Sequence, residues 1–303
     1  MSRDPPCVSI GWVEPVERRL RVGDIDLCVF EWGRPVEDKP SLFLAHATGF
    51  HARCWDEILR RIGDAHAFAI DQRGHGRSTG SAVADWASFG EDLAQLAGEL
   101  GGGPFFGVGH SMGGYALTAA AALHPDRFDR LLLIDPVIGA PEDYGDPAAW
   151  PDDAEHPTAR RRARFASPEE MIDRFRDRPP YAGFTPEVLT DYCRFGLLPE
   201  PGGDGFTLAC PPPVEASIYR TARTRAGIHR AARNLDLPVE IVRMKEPAPD
   251  RDAMDFSSSP TWPGLAALFP RARELHLPDR SHFLPMESPQ MVADWLVAGS
   301  CFG

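Results

Sequence analysis

Along the first 135 residues, short apolar blocks alternate with longer stretches of helical period. Residues 25–32 alternate apolar and polar side chains with period two, which predicts an antiparallel edge strand. Continuous apolar runs at 42–45, 67–70, 105–108 and 131–134 predict buried strands. Between them, 54–62 and 85–100 carry helical spacing, with Asp85 placed as an N-cap and Gly101 as a stop. Residues 115–123 form helix readily, are apolar on nearly every face, and end at His124-Pro125. Strands and helices in alternation predict an α/β fold with a mostly parallel central sheet flanked by helices.

The rhythm breaks after Ile134, where an insertion after the sixth strand is expected. Between Pro136 and Pro213 lie 14 of the 30 prolines, with polar helical stretches and no clear strand. Strand patterning returns at 239–244 and 274–277, with helices at 264–269 and 291–297. An insertion of this length inside a regular sheet is seldom a plain loop. The expected division is 1–136 as the first part of the core, 137–236 as a mainly helical cap over the site, and 237–303 as the second part of the core. The aromatic residues Trp150, Phe165, Phe175, Tyr181, Phe184, Tyr192 and Phe195 are expected to form mostly the cap's own core.

One motif is set into this pattern where it carries chemistry. Gly109-His110-Ser111-Met112-Gly113 lies between the strand at 105–108 and the helix at 115–123. A Gly-x-Ser-x-Gly on a sharp strand-to-helix turn lifts the serine hydroxyl above the sheet, and glycines let backbones pass closely. Ser111 is therefore the candidate nucleophile. A second match, Gly76-Arg77-Ser78-Thr79-Gly80, follows a polar segment with no strand abutting it, and is read as a decoy.

Composition narrows the field. With 32 basic and 44 acidic residues the formal charge is −12, which disfavours nucleic acid and anionic membrane surfaces as partners. The densest basic cluster, Arg160-Arg161-Arg162 with Arg164, is expected to be a solvated helix face, with guidance of an anionic substrate the less favoured reading. The start of the chain lacks the apolar stretch of a signal peptide, and no membrane span is expected. Cys7, Cys28, Cys54, Cys193, Cys210 and Cys301 are widely spaced, so free thiols and a cytoplasmic location are expected. No metal-ligand spacing is present, and no cofactor is implied. A homodimer is left open.

Four segments in order carry a resemblance to the α/β-hydrolase superfamily over nearly the whole chain: His46-Ala47-Thr48-Gly49-Phe50, Asp71-Gln72-Arg73-Gly74-His75-Gly76-Arg77-Ser78, the turn at Ser111, and Ser281-His282-Phe283. The chain looks most similar to the capped esterase, haloperoxidase and epoxide-hydrolase group. That resemblance implies a triad in the order serine, acid, histidine, with His282 as the base. Of the other histidines, His276 is expected to be a core or sheet residue, His110 structural, His75 part of the turn below the site, and His46 an anchor of the oxyanion loop. His51 follows that loop, and a cap-facing role is the less favoured reading.

The acid is open at this point. Most relatives place it after the strand at 239–244, but here the chain reads Met244-Lys245-Glu246-Pro247 instead of the usual Gly-x-x-Asp. Asp135, at the end of the preceding strand, is the favoured alternative, followed by Glu246 and then Asp250 or Asp252. The resemblance further implies oxyanion donors at the backbone N–H groups of Thr48 and Met112, with Ala47 standing where relatives usually have glycine.

Together these imply a serine hydrolase acting on a carboxylic ester or related small acyl compound, with the chemistry of a carboxylesterase or lipase and an apolar ester as substrate. Two rivals use the same triad, carbon–carbon bond hydrolysis and cofactor-free perhydrolysis. A third is a catalytically silent binding protein that kept the pocket.

Overall fold

The computed structural model describes residues 13–144, 156–224, 227–251 and 255–302. Cys7, Trp150 and Asp252, named above, lie outside the described residues. The chain lays down β1 (Val16–Val22), β2 (Ile25–Trp32), β3 (Leu42–Ala45), β4 (Ala67–Asp71), β5 (Phe105–His110) and β6 (Phe128–Ile134). After three short strands, β7 (Arg164–Phe165), β8 (Leu197–Pro199) and β9 (Phe206–Leu208), it returns with β10 (Val239–Arg243) and β11 (Ala272–His276). Eight strands form the central sheet in the order β1-β2-β4-β3-β5-β6-β10-β11. The pairs β1–β2 and β2–β4 are antiparallel and the rest parallel.

β2 is thus not the edge. β1 covers it, from Val16 opposite Glu31 to Val22 opposite Ile25. Only Val22 of β1 is buried, and the charged residues Glu17, Arg18, Arg19 and Arg21 mask the face shared by Val16, Leu20 and Val22. Charged side chains on an exposed edge also discourage pairing with another chain.

Helices cover both faces of the sheet. α1 (Asp56–Ile62) and α9 (Pro289–Ala298) pack on one, burying Ile58, Leu59 and Val292. α2 (Ala87–Glu99), α3 (Met112–Leu123) and α7 (Gly227–Asn234) pack on the other, burying Phe89, Leu93, Leu117, Ile228 and Ala232. α3 is apolar nearly all round because it is buried nearly all round. Asp85 lies one residue outside the α2 cap, Trp86, and accepts a bond from Ala87 N at 2.9 Å. The helix expected at 264–269 is only a single 3-10 turn, Leu265–Leu268. Pro263 blocks extension at one end, and Pro270 pushes Phe269 into extended backbone at the other.

The inserted segment holds α4 (Pro168–Phe175), α5 (Pro186–Phe195) and α6 (Pro212–Thr221). The expectation that it lacks strands is corrected: β7, β9 and β8 make a separate three-stranded antiparallel sheet. At two to three residues each, these strands are too short to leave a period in the sequence. None of them joins the central sheet. The segment and the core meet in one apolar cluster that includes Phe50, Met171, Phe184, Tyr192 and Phe283.

Of the basic cluster, Arg160, Arg162 and Arg164 are exposed as expected, and only Arg161 departs from a solvated face. Arg161 lies on the inner side of the segment and binds Glu215 at 2.5 Å and the Tyr192 hydroxyl at 3.4 Å. Among the described residues, no helix is long and apolar enough to cross a membrane.

Candidate active site

β5 delivers Ser111 and α3 begins immediately after it, so the serine occupies the turn between them. Its backbone is left-handed, φ 58° and ψ −119°, a region that costs a non-glycine residue about 1–3 kcal/mol unless the surroundings impose it. They do. Ser111 N donates to Ile134 O at 3.0 Å, and its own carbonyl accepts from Gly114 N at 3.0 Å and Val137 N at 3.1 Å. A Cβ on Gly113 would overlap the Ala45 carbonyl, and one on Gly109 the Gly113 carbonyl, so both flanking positions admit only glycine.

Three side chains from distant parts of the chain meet above the sheet. His282 Nε2 lies 3.0 Å from Ser111 Oγ, and His282 Nδ1 lies 2.7 Å from Asp135 Oδ2. With Nδ1–H donated to the carboxylate, Nε2 is left to accept the serine proton. All three residues are buried. Asp135 also has a left-handed backbone, φ 47°, directly before Pro136. Its second oxygen, Oδ1, accepts from Ser259 Oγ at 2.5 Å, Met244 N at 3.1 Å and Thr261 Oγ1 at 3.2 Å. A fully buried carboxylate needs such a set of donors to offset its lost hydration.

Ser259 and Thr261 were not legible in the sequence, where they sit in a loop of small polar residues with no distinguishing period. His110, expected to be structural, donates from Nε2 to the His282 carbonyl oxygen at 2.8 Å. Burial pushes its ring down to about 3, and the nearby His282 pushes the same way, so it stays neutral.

The loop after β3 faces the same space. Phe50 N bonds to Ala47 O at 3.1 Å, a turn that leaves the Thr48 N–H unused by its own closure. Met112 N is the first amide of α3 and has no intrahelical partner. Thr48 and Met112 also touch through Oγ1 and Sδ at 3.4 Å. Two neutral histidines brace the loop from below: His46 Nε2 accepts from Gln72 N, and His75 Nε2 accepts from Gly49 N, each at 3.0 Å. Burial holds both rings well down, His75 to about 4. His51 does face the inserted segment, bonding from Nε2 to Tyr192 O at 3.1 Å and stacking on the Tyr192 ring.

Other candidates lie elsewhere. Glu246 is exposed and pairs with Arg243 at 3.1 Å, and Asp250 is exposed beyond it. Ser78 donates to Asp71 O at 2.5 Å and accepts from Cys28 N at 2.7 Å, fastening β2 to the turn after β4. His276 ends β11 on the surface.

Ser111 and His282 open into a cavity of about 390 Å³ whose walls include Thr48, Phe50 and Trp86 from the core and His156, Tyr219 and Arg223 from the inserted segment. Among the described residues, no group of three or more His, Cys, Asp or Glu side chains is arranged to hold a metal.

The alpha/beta hydrolase family pattern matches residues 42–295. A monoacylglycerol lipase of Mycolicibacterium smegmatis is 32% identical over 127 residues, 39% of this chain and 45% of the relative. A monoglyceride lipase of Rattus norvegicus is 36% identical over 116 residues, 35% of this chain and 38% of the relative. The chain thus spans less than half the length of these curated relatives. A solved structure of E-2-(acetamidomethylene)succinate hydrolase superposes with a TM-score of 0.71 at 22% identity, over 94% of this chain and 98% of that one, which shows the shared fold.

Proposed function

The chain belongs to the alpha/beta hydrolase family, and from that premise we propose that it is a serine hydrolase cleaving a carboxylic ester or related small acyl compound through Ser111, His282 and Asp135. The observation that carries the reading is the continuous relay from Ser111 Oγ through the His282 ring to Asp135 Oδ2, at 3.0 and 2.7 Å. Partial matches to lipases support ester hydrolysis in particular.

In this reading Ser111 Oγ attacks the acyl carbon while His282 Nε2 takes its proton. The Thr48 and Met112 N–H groups receive the charge that develops on the acyl oxygen. The bond to the leaving alcohol breaks as His282 returns the proton to it. Water, deprotonated by the same nitrogen, then attacks the acyl-enzyme, releasing the acid and regenerating the serine. Asp135 holds the ring in the tautomer both half-reactions need.

The inserted segment acts as the cover of this site. Its support is the cavity wall made by His156, Tyr219 and Arg223. The cover spans 137–236, and its α6 and α7 also give Val214, Ile218, Ile228 and Ala232 to the core that packs on the sheet.

A fluorophosphonate probe tests the reading. It should label the wild type at Ser111 and leave Ser111→Ala unlabelled, and the wild type alone should turn over a p-nitrophenyl ester. Failure of the wild type in both assays would overturn the proposal in favour of a silent binding protein.

A further inference from the structure

Beside the cavity at Ser111 lies a second chamber of about 430 Å³, and the two share Thr48, Phe50, Tyr219, Phe256 and Phe283 as walls. The charge on these walls is opposite to that of the protein. The whole chain carries −12. Among the described residues, the second chamber is lined by Arg160, Arg161, Arg162, Arg174 and Arg178, with Glu215 the single acid. The first adds Arg220, Arg223 and Arg251 and, among the described residues, no carboxylate.

Several of these cations are already engaged. Arg161 binds Glu215 and Arg162 binds Glu170, each at 2.5 Å, while Arg251 reaches the Ser258 hydroxyl at 3.3 Å. The acids nearest Arg174 on α4 are engaged as well: Glu170 with Arg162 and the Ala166 amide, Asp173 with Arg176. Among the described residues, no carboxylate lies within ion-pair distance of Arg174 or Arg178. Guanidinium groups crowded on a concave wall repel one another and focus a positive potential into the space they enclose. The natural complement is an anion able to take two parallel N–H bonds from a guanidinium, that is, a carboxylate or a phosphate. Stacked rings, Phe175 on Tyr181 at 4.3 Å and Tyr219 on Phe256 at 5.0 Å, supply an apolar surface for the rest of such a molecule.

We propose that the substrate is an acyl compound bearing a carboxylate or phosphate group, which docks in the second chamber against Arg174 and Arg178 while the acyl carbon lies at Ser111. This deepens the hydrolase reading and rests on it. The expected apolar ester is thereby replaced by one with an anionic end.

Three substrates of matched acyl length separate the sources of the anion: p-nitrophenyl butyrate, neutral; p-nitrophenyl hemiglutarate, with a carboxylate on the acyl part; and butyryl-coenzyme A, with phosphates on the leaving part. The wild type should prefer one anionic substrate over the neutral ester. In Arg174→Gln/Arg178→Gln that preference, as a ratio of kcat/KM, should fall about tenfold, through KM, and salt should erode it in the wild type. Preference for the hemiglutarate identifies a carboxylate, and preference for the thioester a phosphate. No preference, or a ratio unmoved by the double substitution, overturns the proposal while leaving ester turnover intact. If no substrate is turned over, the hydrolase reading fails, and calorimetric titration of glutarate and coenzyme A still decides: binding weakened about tenfold in the double variant supports an anion site, and no binding removes it.

Discussion

His110 donates a hydrogen bond from Nε2 to the backbone carbonyl of His282 at 2.8 Å, so the neighbour of Ser111 in sequence holds the backbone of the ring that faces Ser111 in space. The strand end and the C-terminal loop are thereby tied across 172 residues of chain. Replacing His110 by Leu leaves a buried carbonyl unpaired, a cost of about 1–3 kcal/mol. The expected outcome is a lower urea midpoint and a loss of kcat larger than any change in KM, because the ring loses its mooring while the pocket walls stay in place.

The buried histidines set the response to acid. Burial pushes His51 and His110 down to about 3 and His75 to about 4, against 6.5 when unfolded. Their contribution to stability is fully present above pH 6.5. As pH falls below that, the unfolded chain takes up protons the native state refuses, and stability drops by up to about 1.4 kcal/mol per pH unit for each ring until its folded value is reached. Thermal melting between pH 7.5 and 4.5 should show a steep decline, shallower in His110→Leu.

Two serines in Gly-x-Ser-x-Gly settings should separate cleanly. Ser111→Ala removes only the hydroxyl facing His282 and should abolish turnover with the melting temperature nearly unchanged. Ser78→Ala removes the bonds to Asp71 and Cys28 and should cost about 1–3 kcal/mol of stability while turnover per folded molecule persists. Activity and melting curves on both variants check this, and the reverse pattern would mean the wrong serine was assigned.

Asp135 and Glu246 make a similar pair. Asp135→Asn should lower kcat by about 10⁴, since an amide can donate to Nδ1 and stabilise the unproductive tautomer. Glu246→Gln, touching an exposed carboxylate paired only with Arg243, should change activity and stability little. Ser259→Ala, which strips one donor from Asp135 Oδ1, should fall between them. Steady-state kinetics on the three variants give the order.

The turn itself is intolerant. Gly113→Ala places a methyl into the Ala45 carbonyl, a backbone atom of β3 that cannot step aside. The variant should express poorly or melt far below the wild type, with no ester concentration restoring its turnover. Normal melting and activity would show that the two backbones do not approach as closely as described.

What the chain could reveal alone was whatever rests on local period and local backbone need. The buried strands 42–45 and 131–134 read as apolar runs because both their faces are covered, and the turn at Ser111 reads as a motif because its serine and glycines fall within five residues, Gly109 answering the nearby Gly113 carbonyl although Gly113 answers the distant Ala45 carbonyl. Where a residue's surroundings come from far along the chain, local pattern fell silent. β1 hid because an exposed edge strand needs no apolar face, and β7 to β9 because strands of two or three residues carry no period. The choice between Asp135 and Glu246 turned on a 147-residue separation that only the folded sheet closes, through the parallel register that sets β6 beside β10. Ser259 and Thr261 reach Asp135 through a loop whose path no propensity encodes, and the arginines around the second chamber come together because of how α4 and the turn at Pro157–Arg160 pack, not because of their own sequence. Periodicity is a property of neighbours in the chain. Charge complementarity and proton relay are properties of neighbours in space, and the packing of the inserted segment on the sheet alone decided which residues those are.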